Sequence, residues 1–246
     1  DLTQEQFYGK LGTGADISTS QPTPESVTGL WDRLLEEYDQ LVHIPMSSGL
    51  SSSCQTAMAL AQDYEGKVFV VNNHRISVTQ RQSALDAKML AEAGKTGEEI
   101  QKILYDTRYE SSIYITVDTL KYLKKGGRIT PAAAALGTLL RIKPVLTIQG
   151  ERLDAFAKAR TMKQAKDIML TALQKDLEER FHDKDCRKTW LQIAHTANGE
   201  AAELLKKEME EMFPGVSVHA DPLSLSVACH IGPGSLAVAC SKMLEV

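Results

Sequence analysis

Two clusters of hydroxyl side chains and one histidine carry the chemistry that this sequence offers. The denser cluster lies in His43-Ile44-Pro45-Met46-Ser47-Ser48-Gly49-Leu50-Ser51-Ser52-Ser53, with five serines in seven positions around one glycine. Capping a helix takes a single serine. The surplus reads as a cradle of hydrogen-bond donors on a flexible backbone. A strand ahead of it and a helix behind it would point backbone N–H groups at an anion. The run lacks the lysine of a phosphate loop and the flanking glycines of a nucleophile elbow. It suits the polar end of an otherwise apolar ligand.

The second cluster is Thr19-Ser20-Gln21-Pro22, where the proline keeps Gln21 extended and leaves a loop edge of hydroxyls. Taken alone it is also an ordinary turn. His230 stands just ahead of Gly232-Pro233-Gly234, at an expected rigid turn between apolar segments. It is either a core histidine bonded to backbone or a functional group that titrates near neutral pH. Arg160 ends an expected strand and by default is simply exposed; the alternative is a basic patch with Lys158, Lys163 and Lys166 for an acidic partner or a phosphate.

Other chemistries lack support. His182 and Cys186 lie in a charged loop with no second pair at ligand spacing, so no metal is expected. A Ser/His hydrolase with His230 as base has no nucleophile elbow and no identifiable acid. Gly126-Gly127-Arg128 follows a helical pattern rather than a strand, which excludes a dinucleotide fingerprint, and no cofactor is expected.

The elements that position these residues follow from periodicity. Residues 1–22 read as irregular, with turns at Gly12 and Gly14. Thr23-Pro24 starts a helix whose apolar positions run Val27, Leu30, Trp31, Leu34, Leu35, Tyr38 and Leu41. A strand is expected over 43–46, a helix from about Ser52 to Tyr64, and a strand over 67–71 ending in the loop Asn72-Asn73-His74-Arg75. Ligands bind at that end of a strand in open α/β sheets. Two helices follow, the second with a capping box formed by Thr96 and Glu99.

From Ser112 onward the pattern changes. A strand to Val117 is followed by a helix capped by Asp118, an alanine-rich helix over 132–140, and a hairpin turning at Gln149-Gly150. A long helix over 161–181, a strand over 190–196, a helix over 201–212 and strands over 216–220 and 235–240 complete the chain. The fold class is therefore α/β in two domains: a parallel-sheet, three-layer α/β/α domain over residues 1–111 and a mixed-sheet α/β domain over 112–246.

Composition sets the outer bounds. The 246 residues are 43% hydrophobic and 24% charged, enough for a sizeable core. A net charge of −4 argues against nucleic-acid or anionic-membrane partners. Cys54, Cys186, Cys229 and Cys240 show no paired spacing, which fits a reducing, cytoplasmic setting. No apolar run has transmembrane length, so no integral membrane contact is expected.

Four segments in this order resemble the DegV family of bacterial fatty-acid-binding proteins: Thr19-Ser20-Gln21-Pro22, Ser47-Ser48-Gly49-Leu50-Ser51, Leu123-Lys124-Lys125-Gly126-Gly127-Arg128-Ile129, and His230 with Gly232-Pro233-Gly234. The resemblance covers essentially the whole chain. It implies a DegV-like pair of α/β domains with a ligand cleft between them, and a long-chain fatty acid as bound ligand. The contacts it implies are Thr19, Ser20, Ser48, Gly49, Ser51 and His230, with Arg160 facing a partner or a phosphate. It further implies that the protein is a carrier with no turnover of its own, presenting the carboxylate to a dihydroxyacetone-kinase-like fatty acid kinase that makes an acyl phosphate from ATP.

This sequence departs from the family pattern in three places. The family's opening strand does not precede Asp1, so the first domain is expected to lack it. Asn72-Asn73 stands where the family has Asp-Ser, and Ser52 where it has glycine.

The energetics suit such a ligand. Each buried CH₂ is worth roughly 0.8 kcal/mol, so about 15 of them contribute on the order of 12 kcal/mol before binding costs. An unpaired buried carboxylate would cancel much of that. Hydroxyls and an imidazole can pair it without a salt bridge, leaving it open to phosphorylation. Met46, Ala132 to Ala135, Leu139 and Leu140 are candidates for setting chain-length preference. The competing expectations are a Ser/His hydrolase, a phosphoryl-transfer subunit of the dihydroxyacetone-kinase type, and a purely regulatory protein.

Overall fold

The computed structural model describes residues 2–136, 142–150 and 152–245; Leu139 and Leu140 lie outside the described residues. The chain divides into two compact units, one of Ser20–Glu110 with the last residues from Leu244, the other of the residues through Thr19 with Ser111–Met243. The opening residues thus group with the later unit rather than with the first domain that sequence order suggests. The reason is apolar: α1 (Gln4–Gly12) buries Phe7 and Leu11 in a cluster with Ala228 and Cys229. Pattern alone reads this stretch as irregular; it is helical instead. A capping box between Thr3 and Gln6 starts it.

The unit beginning at Ser20 is a three-layer α/β/α arrangement. Its elements are α2 (Pro24–Leu35), β1 (Leu41–His43), α3 (Ser53–Leu60) continued by a short 3₁₀ turn, β2 (Val68–Val70), α4 (Ser77–Glu92) and α5 (Gly97–Asp106). β1 and β2 pair in parallel, with Val42 opposite Phe69. Trp31 and Ala57, from α2 and α3, pack with Val68 and Val70 on one face. Leu90, Ile100 and Leu104, from α4 and α5, pack with Val71, Val42 and Ile44 on the other. β1 ends before the expected strand does, because Pro45 has no N–H for a sheet ladder. α5 starts as the sequence predicts, at the Thr96–Glu99 capping box.

The other unit is built on one six-stranded sheet. Its elements are β3 (Ser111–Thr116), α6 (Lys121–Gly126), α7 (Pro131–Leu136), β4 (Lys143–Ile148), β5 (Asp154–Ala159), α8 (Met162–Lys175), β6 (Thr189–His195), α9 (Gly199–Met212), β7 (Val218–Pro222), α10 (Leu225–Ile231) and β8 (Leu236–Lys242). The strand order is β5-β4-β3-β8-β6-β7. Only β6 and β7 run parallel; the other neighbours are antiparallel, which makes the sheet mixed. α8 and α9 bury Met169, Leu173, Leu205 and Met209 against Tyr114, Leu191, Ile193 and Val238. Strand alternation turns the equally buried Ile113 and Ile115 to the opposite face.

Three local expectations change. Asp118 does not cap α6; the helix starts at Lys121 without a side-chain cap, and Asp118 pairs with Lys143. The long helix ends at Lys175 and passes into a π turn over Asp176–Arg180. His230 lies in the last turn of α10, a helix not anticipated, rather than in the turn itself. All four cysteines are buried and unpaired. No helix among the described residues is long and apolar enough to cross a membrane.

Candidate functional site

His230 is placed by glycines. α10 ends at Gly232, whose φ of 79° suits a residue without a side chain. A methyl group on Gly232 would lie 2.2 Å from Cδ2 of Tyr122, so the α6 tyrosine packs directly onto this backbone. The converse contact holds at Gly126, the last residue of α6: a methyl there would lie 2.2 Å from Nδ1 of His230. Two bare backbones thus let α6 and α10 approach closely, and the imidazole lies flush against Gly126. The guanidinium of Arg128 donates to the Gly126 carbonyl.

The far side of the ring meets Thr19. Nε2 of His230 is 2.8 Å from Thr19 Oγ1, and both residues are half-buried. If Nε2 carries the hydrogen, Thr19 accepts it and its own hydroxyl hydrogen is available to an incoming acceptor. Desolvation, then the positive charge of Arg128, lowers the His230 pKa below its ordinary value. The ring is therefore neutral at neutral pH. With the N–H spent on Thr19, the pair offers an incoming carboxylate the Thr19 hydroxyl hydrogen beside the positive charge of Arg128. Among the described residues no carboxylate bonds this imidazole, and no group of three or more His, Cys, Asp or Glu could hold a metal ion.

The serine run forms a separate, self-bonded loop in the Ser20–Glu110 unit. Ser47 is fully buried, and its N–H donates to the Arg75 carbonyl at 2.9 Å. Its own carbonyl accepts from Leu50 and Ser51, closing a tight turn. Asn72 holds Ser48 twice: its Oδ1 accepts the Ser48 N–H at 3.3 Å and its Nδ2 donates to Ser48 Oγ at 2.9 Å. An aspartate could only accept from this hydroxyl, whereas the asparagine donates to it and leaves the Ser48 hydroxyl hydrogen for another acceptor. Ser51 Oγ accepts from the Ser53 N–H and donates to Ser53 Oγ, so Ser51 braces the start of α3. Ser52, at the N-cap position of α3, makes no capping bond; its hydroxyl donates to Gln21. Ser20 is exposed and Gly49 half-buried.

Two supporting networks have no signature in the sequence. Behind the serine loop, buried Asn73 and Arg75 both donate to Ser83 Oγ, and Arg75 also reaches the Thr107 carbonyl. They steady a turn in which His74 and Ser77 adopt left-handed φ values of 56° and 57°. Near His230, fully buried Thr196 and Ser235 bond each other at 2.7 Å. Buried polar residues such as these carry no periodicity signal.

Arg160 is exposed just beyond the end of β5, where its backbone N–H donates to Gln164. Lys158 and Lys163 are exposed near it, whereas Lys166 is occupied by Glu208. Among the described residues its hydrogen bonds do not reach Thr19 or His230.

Three histidines, His43, His195 and His230, have pKa values lowered first by desolvation, and they make stability pH-dependent. Burial lowers the pKa of His43, whose Nδ1 accepts from Trp31 Nε1 at 3.0 Å, and that of His230 is lowered as well. The unfolded chain, with ordinary values of about 6.5, then binds more protons than the folded one once pH falls below that. Stability is complete above about pH 6.5 and declines as pH falls through the lowered values. Thermal unfolding should show a falling midpoint between about pH 7 and about pH 5.5, before carboxylates protonate, and a smaller fall in His43→Gln. A flat wild-type profile over that range would contradict these assignments.

Comparison with known proteins agrees on one group. A family model described as "Uncharacterised protein, DegV family" matches residues 1–243. The chain is 34% identical over 165 residues to a DegV domain-containing protein of Deinococcus radiodurans, spanning 67% of this chain and 59% of that relative's length. It is 31% identical over 219 residues to one of Listeria innocua, spanning 88% and 75% of the two. Among solved structures, a DegV family protein from Thermus thermophilus, described in terms of its fatty acid binding, matches with a TM-score of 0.89 and 31% identity. That match covers 99% of this chain and 85% of the other.

Proposed function

Because the chain belongs to the DegV family, we propose that it binds a long-chain fatty acid and holds the carboxylate through Thr19 and His230. The observation that carries this reading is the 2.8 Å contact between Thr19 Oγ1 and the imidazole, packed on Gly126 beside Arg128. The fatty acid binding described for the Thermus thermophilus relative supports the ligand class. Ser20, Ser48, Gly49 and Ser51 are proposed as further ligand-facing positions, supported by the hydroxyl-rich loop and its second brace at Asn72.

In this reading the protein is a carrier rather than a catalyst. A partner kinase of the dihydroxyacetone-kinase type would take the bound carboxylate as nucleophile toward the γ-phosphorus of ATP, with ADP leaving. Arg160, exposed with Lys158 and Lys163, is proposed to face that partner or the phosphate. The direct test is solvent extraction of the purified protein followed by mass analysis. A stoichiometric long-chain fatty acid is the expected result; protein free of lipid that also fails to take up added fatty acid would overturn the proposal.

A further inference from the structure

Resting on the reading of Thr19 and His230 as the carboxylate-holding pair, we propose that Thr196 is a positioning residue of that site: its buried hydroxyl, just past the end of β6, fixes the turn after His230 and so sets the imidazole against Thr19. The turn runs from Gly232 to Ser235 and contains two positive-φ glycines, Gly232 and Gly234. Such a backbone has several conformations open to it unless external bonds select one. Thr196 supplies those bonds. Its Oγ1 donates to the Gly232 carbonyl at 2.6 Å. Its backbone carbonyl accepts from the Gly234 N–H at 2.7 Å, and its N–H donates to the Ser235 carbonyl at 3.3 Å.

The direction of each hydroxyl bond follows from valence. A carbonyl can only accept, so the single hydroxyl hydrogen of Thr196 goes to Gly232. Ser235 must then donate its hydroxyl to Thr196 Oγ1, which also accepts the Ser235 N–H at 3.0 Å. The hydrogen-bonding capacity of the Thr196 hydroxyl is thereby filled, and both residues are fully buried. Asn198 adds a bond from Nδ2 to the Gly234 carbonyl at 3.3 Å. Because the Gly232 N–H also closes α10 onto the Ala228 carbonyl at 2.8 Å, pinning Gly232 fixes the helix end that carries His230. Thr196 touches neither the imidazole nor Thr19 in these bonds; it acts through the turn.

The test compares Thr196→Val, Thr196→Ser and Ser235→Ala in the full chain. Imidazole ¹⁵N chemical shifts of ligand-free protein report the tautomer and hydrogen bonding of His230. Titration with a fluorescent polyene fatty acid reports affinity, and thermal unfolding reports the fold. Thr196→Val should shift the His230 resonances and weaken binding on the order of tenfold, with Thr196→Ser restoring both. If the valine variant does not fold, Ser235→Ala makes the same test with a smaller change. Unchanged His230 resonances in the folded variants, or no rescue by serine, would overturn the proposal. Shifted resonances with unchanged affinity, in a protein whose His230→Ala variant also keeps its affinity, would support the positioning of the ring and refute the carboxylate reading.

Discussion

Gly126→Ala is expected to leave the protein folded and to weaken fatty-acid binding about as much as removal of His230 itself. The new methyl would lie 2.2 Å from Nδ1 and 3.2 Å from Cγ and Cε1 of the imidazole, far inside contact distance. The backbone of α6 is held by helical bonds, whereas the ring is the movable end of a side chain. The ring therefore yields, and rotating it away breaks the contact with Thr19. Overpacking costs about 1–3 kcal/mol, but alanine at a helical position returns roughly 0.5–1 kcal/mol relative to glycine. Stability should change little while affinity falls on the order of thirtyfold. Thermal unfolding and fatty-acid titration on the same sample separate the two effects. Wild-type affinity in Gly126→Ala would show that the placement of this ring does not matter for the ligand.

The second large effect is expected at the pair itself. A hydrogen bond to a charged group is worth about 1.5–3 kcal/mol, so His230→Ala should weaken binding of a long-chain fatty acid roughly ten- to hundredfold. Thr19→Val removes the hydroxyl on the other side of the 2.8 Å contact and should act in the same direction. The two side chains touch, so the double variant should lose less than the sum of the single losses. The apolar contribution of the acyl chain is untouched by either change. Affinity for the corresponding methyl ester should accordingly stay level across the series. Additive losses in the double variant would argue that the two residues serve the ligand separately.

The chemistry-bearing residues are more legible in this sequence than the contacts that place them. Serine density, the Thr-Ser-Gln-Pro run and the histidine before Gly-Pro-Gly stand out by composition alone, and the helices of the Ser20–Glu110 unit follow from apolar spacing and caps. The close approach of His230 to Gly126 does not, since nothing local to either residue announces a contact so distant in sequence. The same holds for Thr196 and Ser235, two small polar residues at strand ends. α1 carried a readable signal, a Thr3–Gln6 capping box with Phe7 and Leu11 one turn apart, that its polar surroundings obscured. Its placement with Ala228 and Cys229 is a packing fact that sequence order works against. Which serine braces the start of α3 is not legible, because cap geometry depends on φ and ψ, which serine-rich composition does not specify.

The most direct measurement compares the affinity of the wild-type protein for a long-chain fatty acid with that for its methyl ester. The ester keeps the apolar chain and loses the charged acceptor that Thr19 and His230 are arranged to meet. Binding of the acid should be tighter by at least about tenfold, and the difference should vanish in His230→Ala. Equal affinity of the wild-type protein for acid and ester would contradict carboxylate recognition at this site.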